Sequence, residues 1–361
     1  MRIDVTPLTL PATADEAGEV GERFRAVSDH MERVNLPRYA GTAALTHEER
    51  LASWLPNEAD DHLVRVVADG DRVLGISSIW LPLQESTDVL DFGLALDDDL
   101  VGERRLAVAE ALTDDAMRLA RELGRPTVMG GSPAASTGAV TAATGFGGAD
   151  PDDAEAAPLV ARGFVLEQVY RVSVADILDL DLDARLTDAR ERSGDDYETI
   201  AWAGPTPAAH RAEMRRLHER MSTDAPVGGL ALEPETWSDE RLADFERSKT
   251  DGGRTMRTVV VRHRPSGALA GFTSLFVGAA PADGAGIARQ HDTLVVAEHR
   301  GRALGMLLKL ANLVELRDHH PAHPRVGTWN AEENRHMLAV NEATGFVAVA
   351  HEGVWQRKDV R

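Results

Sequence analysis

The feature that most constrains this chain is a weak internal repeat. Residues 63–80, LVRVVADGDRVLGISSIW, and residues 258–276, TVVVRHRPSGALAGFTSLF, each read as two β-rich runs around a polar, glycine-containing turn. That pattern predicts a hairpin in each half. The second run of each carries a glycine, Gly75 and Gly271, followed by alternating residues. Each half later sets a Gly-Phe pair before a strand-like run, at Gly163-Phe164 and Gly345-Phe346. Each also opens on a short strand candidate, residues 3–5 and 199–202, then a Pro-containing turn and a helical stretch, residues 15–34 and 208–221. The spacing from Gly75 to Gly163 exceeds that from Gly271 to Gly345 by 14 residues, which matches a Gly/Asp/Ala/Pro-rich loop insertion at 145–158. The chain therefore reads as an α/β protein with two copies of one domain. Each copy is expected to be a mostly antiparallel, mixed sheet flanked by helices. The first copy spans residues 1–175 and the second 197–361, with the acidic, turn-rich segment 176–196 as linker. A length of 361 residues suits two domains.

Charge and composition narrow the function classes. Fifty-nine acidic against 39 basic residues give a net charge of −20, a field that repels phosphate backbones, so no nucleic-acid partner is expected. An anionic small ligand then needs a locally basic spot. The absence of cysteine excludes disulfides, a thiolate nucleophile and thiolate metal sites. The N-terminus is charged at once, and no run of about 18 apolar residues occurs. The expectation is a cytoplasmic protein without a membrane partner, a monomer or a homodimer. His319, His320 and His323 lie in a Pro-rich HHPAHP loop without a nearby carboxylate pair, so no metal is expected there. Ser132, Ser136 and Thr137 have no His partner, which leaves a hydrolase triad unsupported. The six tryptophans are expected in cores or between the domains.

The chemistry concentrates in residues 292–316, DTLVVAEHRGRALGMLLKLANLVEL. Residues 293–296 form a short apolar strand, and Ala297-Glu298-His299 turns the chain. Apolar residues at 304, 307, 308, 311 and 314 then predict a helix with one buried face. A strand, a small-residue turn and a helix make an anion site, because the first amides of the helix have no intrahelical partner and the dipole adds positive charge. Gly301, Ala303 and Gly305 allow close approach, and His299, Arg300 and Arg302 add local charge. A pyrophosphate is the natural guest. The segment is neither a Walker loop nor Gly-x-Gly-x-x-Gly.

It does resemble motif A of the GNAT superfamily of N-acetyltransferases, Gln/Arg-x-x-Gly/Ala-x-Gly/Ala, with Arg300, Ala303 and Gly305 at its three positions. A second element, a strand at 326–329 followed by Asn330 to Phe346, is similar to the motif B ending. Asn334 falls on the family Asn and Gly345-Phe346 on the closing pair. Asn330 with Glu333 reads as a capping box for the helix between them and Gly345. The resemblance covers residues 197–361 and implies two tandem GNAT-like domains. It also implies acetyl-CoA as co-substrate, held by Leu294, Val295, Val296, Arg300, Gly301, Arg302, Ala303, Leu304 and Gly305, with Asn330, Asn334 and Asn341 beside it. One position departs from the pattern: the tyrosine that many members use to protonate the leaving thiolate is Asn341 here.

A base is also required, since an ammonium nucleophile must lose a proton before attack. Members often carry a Glu on the strand before motif A, where this chain has His291 and Asp292. On a regular strand these two point to opposite faces, and Asp292 is preferred, because it shares a face with Leu294 and Val296 and burial can raise a carboxyl pKa. His218, Glu219 and Asp224 stand where acceptor contacts would lie, although a solvated surface role suits them better. The first half lacks the Arg-x-x-Gly-x-Gly spacing, and Asp97, Asp98 and Asp99 crowd its turn. It is expected not to bind acetyl-CoA and to shape the acceptor cleft instead. A tandem arrangement with one active half is similar to that of mycothiol synthase. The implied function is transfer of an acetyl group from acetyl-CoA to an amine of a small molecule or peptide, by direct attack. A non-catalytic acyl-CoA-binding or scaffolding protein is the alternative, and a nucleotide-phosphate binder of another fold a third.

Overall fold

Both halves lay down similar elements in similar order. The structure is a computed structural model that describes residues 3–281 and 284–360. The first half opens with β1 (Thr6–Pro7), α1 (Glu19–Arg38) and α2 (His47–Trp54), then β2 (Asp60–Asp69), β3 (Arg72–Pro82) and β4 (Val89–Leu96). It continues with α3 (Gly102–Glu122), β5 (Thr127–Ala134), the short β6 (Val140–Thr141) and β7 (Gly148–Ala149), α4 (Ala157–Ala161) and β8 (Val165–Asp176). After α5 (Leu182–Ser193), the second half runs β9 (Tyr197–Ala203), α6 (Arg211–Asp224), α7 (Asp239–Thr250), β10 (Thr255–His263), β11 (Leu269–Val277) and β12 (Ile287–Val295). It ends with α8 (Leu304–His319), β13 (Arg325–Ala331), α9 (Arg335–Ala343) and β14 (Val347–Arg357).

The repeat shows in register as well as in order. The β2–β3 hairpin slips between Val67 and Ala68, opposite Gly75, and the β10–β11 hairpin slips between Val261 and Arg262, opposite Gly271. A Cβ on Gly271 would lie 2.3 Å from the Leu294 carbonyl oxygen, and one on Gly75 would lie 2.9 Å from Val108. The repeated glycine thus marks a bulge where another chain segment presses on the strand.

Three local expectations shift. Residues 3–5 are not in a strand; the first bridge to β2 comes at Thr6 and Pro7. The first helix begins at Glu19 because Gly18, with φ of 89°, holds a conformation outside the helix. The segment between the halves is more than a turn-rich linker. Asp181 caps α5 by accepting the Ala184 N–H at 3.1 Å, and Leu182, Leu186 and Ala189 are buried in the core beneath α8.

Among the described residues, twelve strands form one mostly antiparallel sheet in the order β1-β2-β3-β4-β5-β14-β8-β13-β12-β11-β10-β9, and β6 and β7 pair separately. The final strand of each half is exchanged. β14, at the end of the second half, pairs with β5 of the first, and β8, at the end of the first half, pairs with β13 of the second. The two exchanged strands pair with each other at the centre, Tyr170 opposite Glu352 and Val172 opposite Ala350. Each core therefore contains residues of the other half. Trp355 is 1% exposed in the first-half core and donates its Nε1–H to Ser132 Oγ at 2.8 Å, while Ala175 and Ile177 lie in the second-half core.

The exchange predicts that the halves unfold together. Trp355→Ala should cost about 3–5 kcal/mol and destabilise the first half although the residue belongs to the second. Urea unfolding followed by circular dichroism and calorimetry should give one transition, shifted as a whole. Two separate transitions, with the first-half one unmoved, would contradict the exchange.

Candidate active site at the fork of two parallel strands

β12 and β13 pair only at Ile287–Arg325, Ala288–Val326 and Arg289–Gly327. Beyond that point β12 stays with β11 and β13 with β8, so the sheet opens as a fork. In β12 the register slips from Thr273–Thr293 to Leu275–Gln290, leaving both His291 and Asp292 opposite Ser274. The first half has no such slip, with Ser78 facing Gly93 and Ile79 facing Phe92. The bulge is held by Gln290, whose Nε2–H donates to Thr273 Oγ1 and to the Ser274 carbonyl, both at 2.8 Å.

The bulge overturns the expectation that His291 and Asp292 face opposite sides. Both line one cavity of about 310 Å³, and His291 Nδ1 lies 3.2 Å from Asp292 Oδ2. The expected raised carboxyl pKa is also reversed. Burial pushes Asp292 up, but the charge and hydrogen bond of His291, aided by His218 and Lys249, bring it below the ordinary aspartate value. Asp292 is a persistent carboxylate, and His291 is its partner.

The rest of this cavity comes from segments without a motif. His218, expected at the surface, is 3% exposed on α6; its ring stacks on Trp237 with centroids 4.3 Å apart, and its Nε2 has no partner. Burial pulls His218 down to about 4, so it is neutral. Lys249 of α7 is likewise lowered, by burial first and then by Arg254. Burial raises Glu235, which accepts the Trp237 Nε1–H at 2.9 Å. Asn57, Asp60 and Trp80 of the first half close the cavity. No spacing in the sequence could connect these residues with residue 292. Glu219 and Asp224 do not line it: Glu219 accepts the Trp237 N–H at 3.1 Å, and Asp224 holds Arg300 at 2.5 Å.

The expected anion site stands where β12 leads into α8. Gly301, with φ of 79°, and Ala303, in the left-handed region with φ of 56°, shape the turn. No side chain caps α8, and its first backbone bond runs from the Leu307 N–H to the Ala303 carbonyl at 3.0 Å, so the earlier amides lack intrahelical partners. A Cβ at Gly301 would meet nothing within 4 Å, and one at Gly305 would reach only Val340 at 4.0 Å. The space before the helix is open, and these residues fit a diphosphate. Arg300 braces the turn, its Nε–H donating to the Val295 carbonyl at 2.9 Å. Arg302 lies over the Tyr197 ring at 5.9 Å, and the Tyr197 hydroxyl bonds His299 Nδ1 at 2.7 Å. Leu294 and Val296 pack with Met214 and Leu217 of α6, whereas Val295 and Leu304 join the core beneath α8. Their backbone, not their side chains, is what a ligand at the fork would meet.

The asparagines take three roles. Asn330 remains in β13 opposite Arg171, so it does not cap the next helix. Asn334 does, accepting the Met337 N–H at 3.2 Å, while Glu333 is held by Gln168. The expected Asn330–Glu333 capping box therefore does not form, because β13 continues through Ala331. Asn341 is 1% exposed; it donates its Nδ2–H to Asn330 Oδ1 at 2.6 Å, and its own Oδ1 is a buried acceptor without a partner. Among the described residues no group of three or more His, Asp or Glu is placed to hold a metal, and no helix is long and apolar enough to cross a membrane.

No family model matches the sequence, and no curated protein does. Solved structures do match. A tandem GNAT protein from the clavulanic acid biosynthesis pathway is 26% identical, with 99% of each chain covered and a TM-score of 0.71. A GCN5-related N-acetyltransferase from Sphaerobacter thermophilus is 12% identical over 98% of each chain, with a TM-score of 0.57. This chain is a tandem GNAT-fold protein, as the two motifs implied. The fold is one that supports acetyltransferase chemistry.

The account of the His291–Asp292 pair has a direct check. In His291→Ala the largest contribution opposing burial is gone, so the Asp292 carboxyl should titrate higher than in the wild type. Carbon-13 NMR of labelled aspartate, assigned with Asp292→Asn, reads the shift; an unmoved titration overturns the account.

Proposed function

We propose that this chain transfers the acetyl group of acetyl-CoA to a primary amine of a small molecule or peptide by direct attack, without a covalent enzyme intermediate. One observation carries the reading. The strand that bears the His291–Asp292 pair leaves β13 after Arg289, just before its bulge, and leads through a short turn to an uncapped helix head. The amides of residues 301–305 hold the diphosphate, and the open backbone edges of β12 and β13 receive the pantetheine arm. Main-chain N–H groups at the fork polarise the thioester carbonyl.

His291 takes the proton of the attacking amine, and Asp292, kept ionised, orients the imidazole and balances its charge. The assignment places the base on His291 in preference to Asp292, because a carboxyl held below its ordinary pKa is a weak base. Asn341 offers a hydrogen bond and no proton, so it does not serve as the acid for the leaving thiolate. The first half binds no acetyl-CoA and walls the acceptor pocket. In its corresponding turn the Asp97 carboxylate accepts the Asp99 N–H at 3.0 Å and the Arg72 Nε–H at 2.9 Å, so the turn's amide and charge are already engaged by side chains. The replaced tyrosine favours a second reading, an acyl-CoA-binding protein without transfer.

The test is a free-thiol release assay with acetyl-CoA and a library of amines, together with thermal unfolding. Acetyl-CoA at a hundredfold excess over its Kd should add about 2.7 kcal/mol, seen as a raised Tm. Gly305→Glu, which sets a negative charge at the helix head, should abolish both the shift and thiol release. His291→Ala and Asp292→Asn should keep the shift and lower kcat at least about tenfold. A shift in the wild type without release for any amine selects the binding protein; no shift at all removes both readings.

A further inference from the structure

The Trp80 indole borders more than the acceptor pocket. The same indole walls a second cavity of about 320 Å³ along the centre of the sheet. Tyr170 on β8 and Trp329 on β13 supply two more rings, and two carboxyls stand among them, Asp91 on β4 and Glu352 on β14. Trp329 follows Gly327, the last β13 residue paired to β12, by two positions, so this cavity also reaches the fork. The fork is thus flanked by two lobes that share Trp80, one with the His291–Asp292 pair and one with Asp91 and Glu352.

The second lobe is electrostatically incomplete. The Asp91 carboxyl accepts the N–H of its neighbour Phe92, and burial pushes it up to about 6. Glu352 is pushed up to about 7, first by burial and then by Asp91, with the Tyr39 hydroxyl as its hydrogen-bond donor. The cation nearest Glu352, Arg38, is committed to Glu155 through contacts of 3.0 and 2.5 Å. A Cβ at Gly131 would lie 3.3 Å from Glu352 Oε1, so glycine there leaves the carboxylate room. Two carboxyls that repel each other inside a ring of aromatic faces form a site for an organic cation, which satisfies the charges and gains cation–π attraction from the rings. In the first lobe, buried His218 presents its unpartnered Nε2, a hydrogen-bonding atom for a polar ligand.

We propose that the acceptor carries two cationic nitrogens: one amine reacts in the His291–Asp292 lobe, and the other seats as an ammonium in the Asp91–Glu352 lobe. The inference rests on the acetyl-transfer reading and adds the substrate class, an aliphatic diamine or polyamine-like compound. Binding without acetyl-CoA tests it independently. Isothermal titration of the full chain with putrescine and spermidine, against butylamine, at about 0.15 M salt, should show the dications binding at least about tenfold tighter. Asp91→Asn and Glu352→Gln should each reduce that preference about tenfold while the acetyl-CoA Tm shift persists, which shows the variants folded. Removing two exposed charges, Asp152→Asn with Asp188→Asn, should leave the preference intact. Equal affinity for butylamine and the dications overturns the proposal, as does unchanged dication affinity in the two cavity variants. An equal loss in the surface control assigns the binding to bulk charge and also overturns it. If the dications bind as expected and acetyl-CoA gives no shift in the wild type, the transfer reading fails and the cation site stands.

Discussion

The antiparallel pairing of β8 with β14 is the contact on which the rest of the molecule depends. It joins two sheets into one, because each strand then pairs outward with the opposite half. A backbone ladder satisfies the N–H and C=O groups of both strands, which would otherwise be costly to bury at a domain junction. The exchange also commits side chains. Trp355 completes the core beneath the first half, while Ala175 and Ile177 complete that beneath the second. Neither half can close its core alone, so the placement of Asp60 and Trp80 against α6, α7 and β12 is fixed by the same pairing.

Within that frame, one extra residue in β12 separates the second-half fork from its counterpart. The first half pairs Ser78 with Gly93 and continues in register, whereas the second sets two residues against Ser274. The slip turns a strand's alternation into a juxtaposition, so that an acid and an imidazole meet at 3.2 Å. Burial pushes Asp292 up, and His291 with the other neighbouring groups brings it below the ordinary value. In the first half no comparable partner reaches Asp91 or Glu352, and their pKa values move the other way. Two acidic sites on one sheet therefore shift in opposite directions, because one contains its counter-charge and in the other burial dominates.

Much of both halves was legible in the chain. Residues 89–96 form the expected strand, the Gly-Phe pairs precede β8 and β14, and the helix at Leu304 begins where the apolar spacing starts. These features are local, carried by side-chain period and turn chemistry. The misread features depended on neighbours distant in sequence. Asn330 matched a capping pattern, yet pairing with Arg171 keeps it in a strand and passes the cap to Asn334. His218 resembled a solvated helix residue until Trp237 and Phe272 enclosed it. Segment 176–196, strongly acidic, still contained Leu182, Leu186 and Ala189 at a helical spacing that only the underside of α8 makes meaningful.

By itself the sequence determined a repeated α/β unit with a hairpin in each copy, and one strand-turn-helix fit for a diphosphate. Those follow from periodicity and from helix-end chemistry, which act over a few residues. Tertiary structure alone decided that the halves trade their last strands, that His291 and Asp292 share a face, and that one indole from the first half divides two acidic lobes. Register, burial and charge pairing bring together residues hundreds of positions apart, and no local pattern encodes which of them will meet.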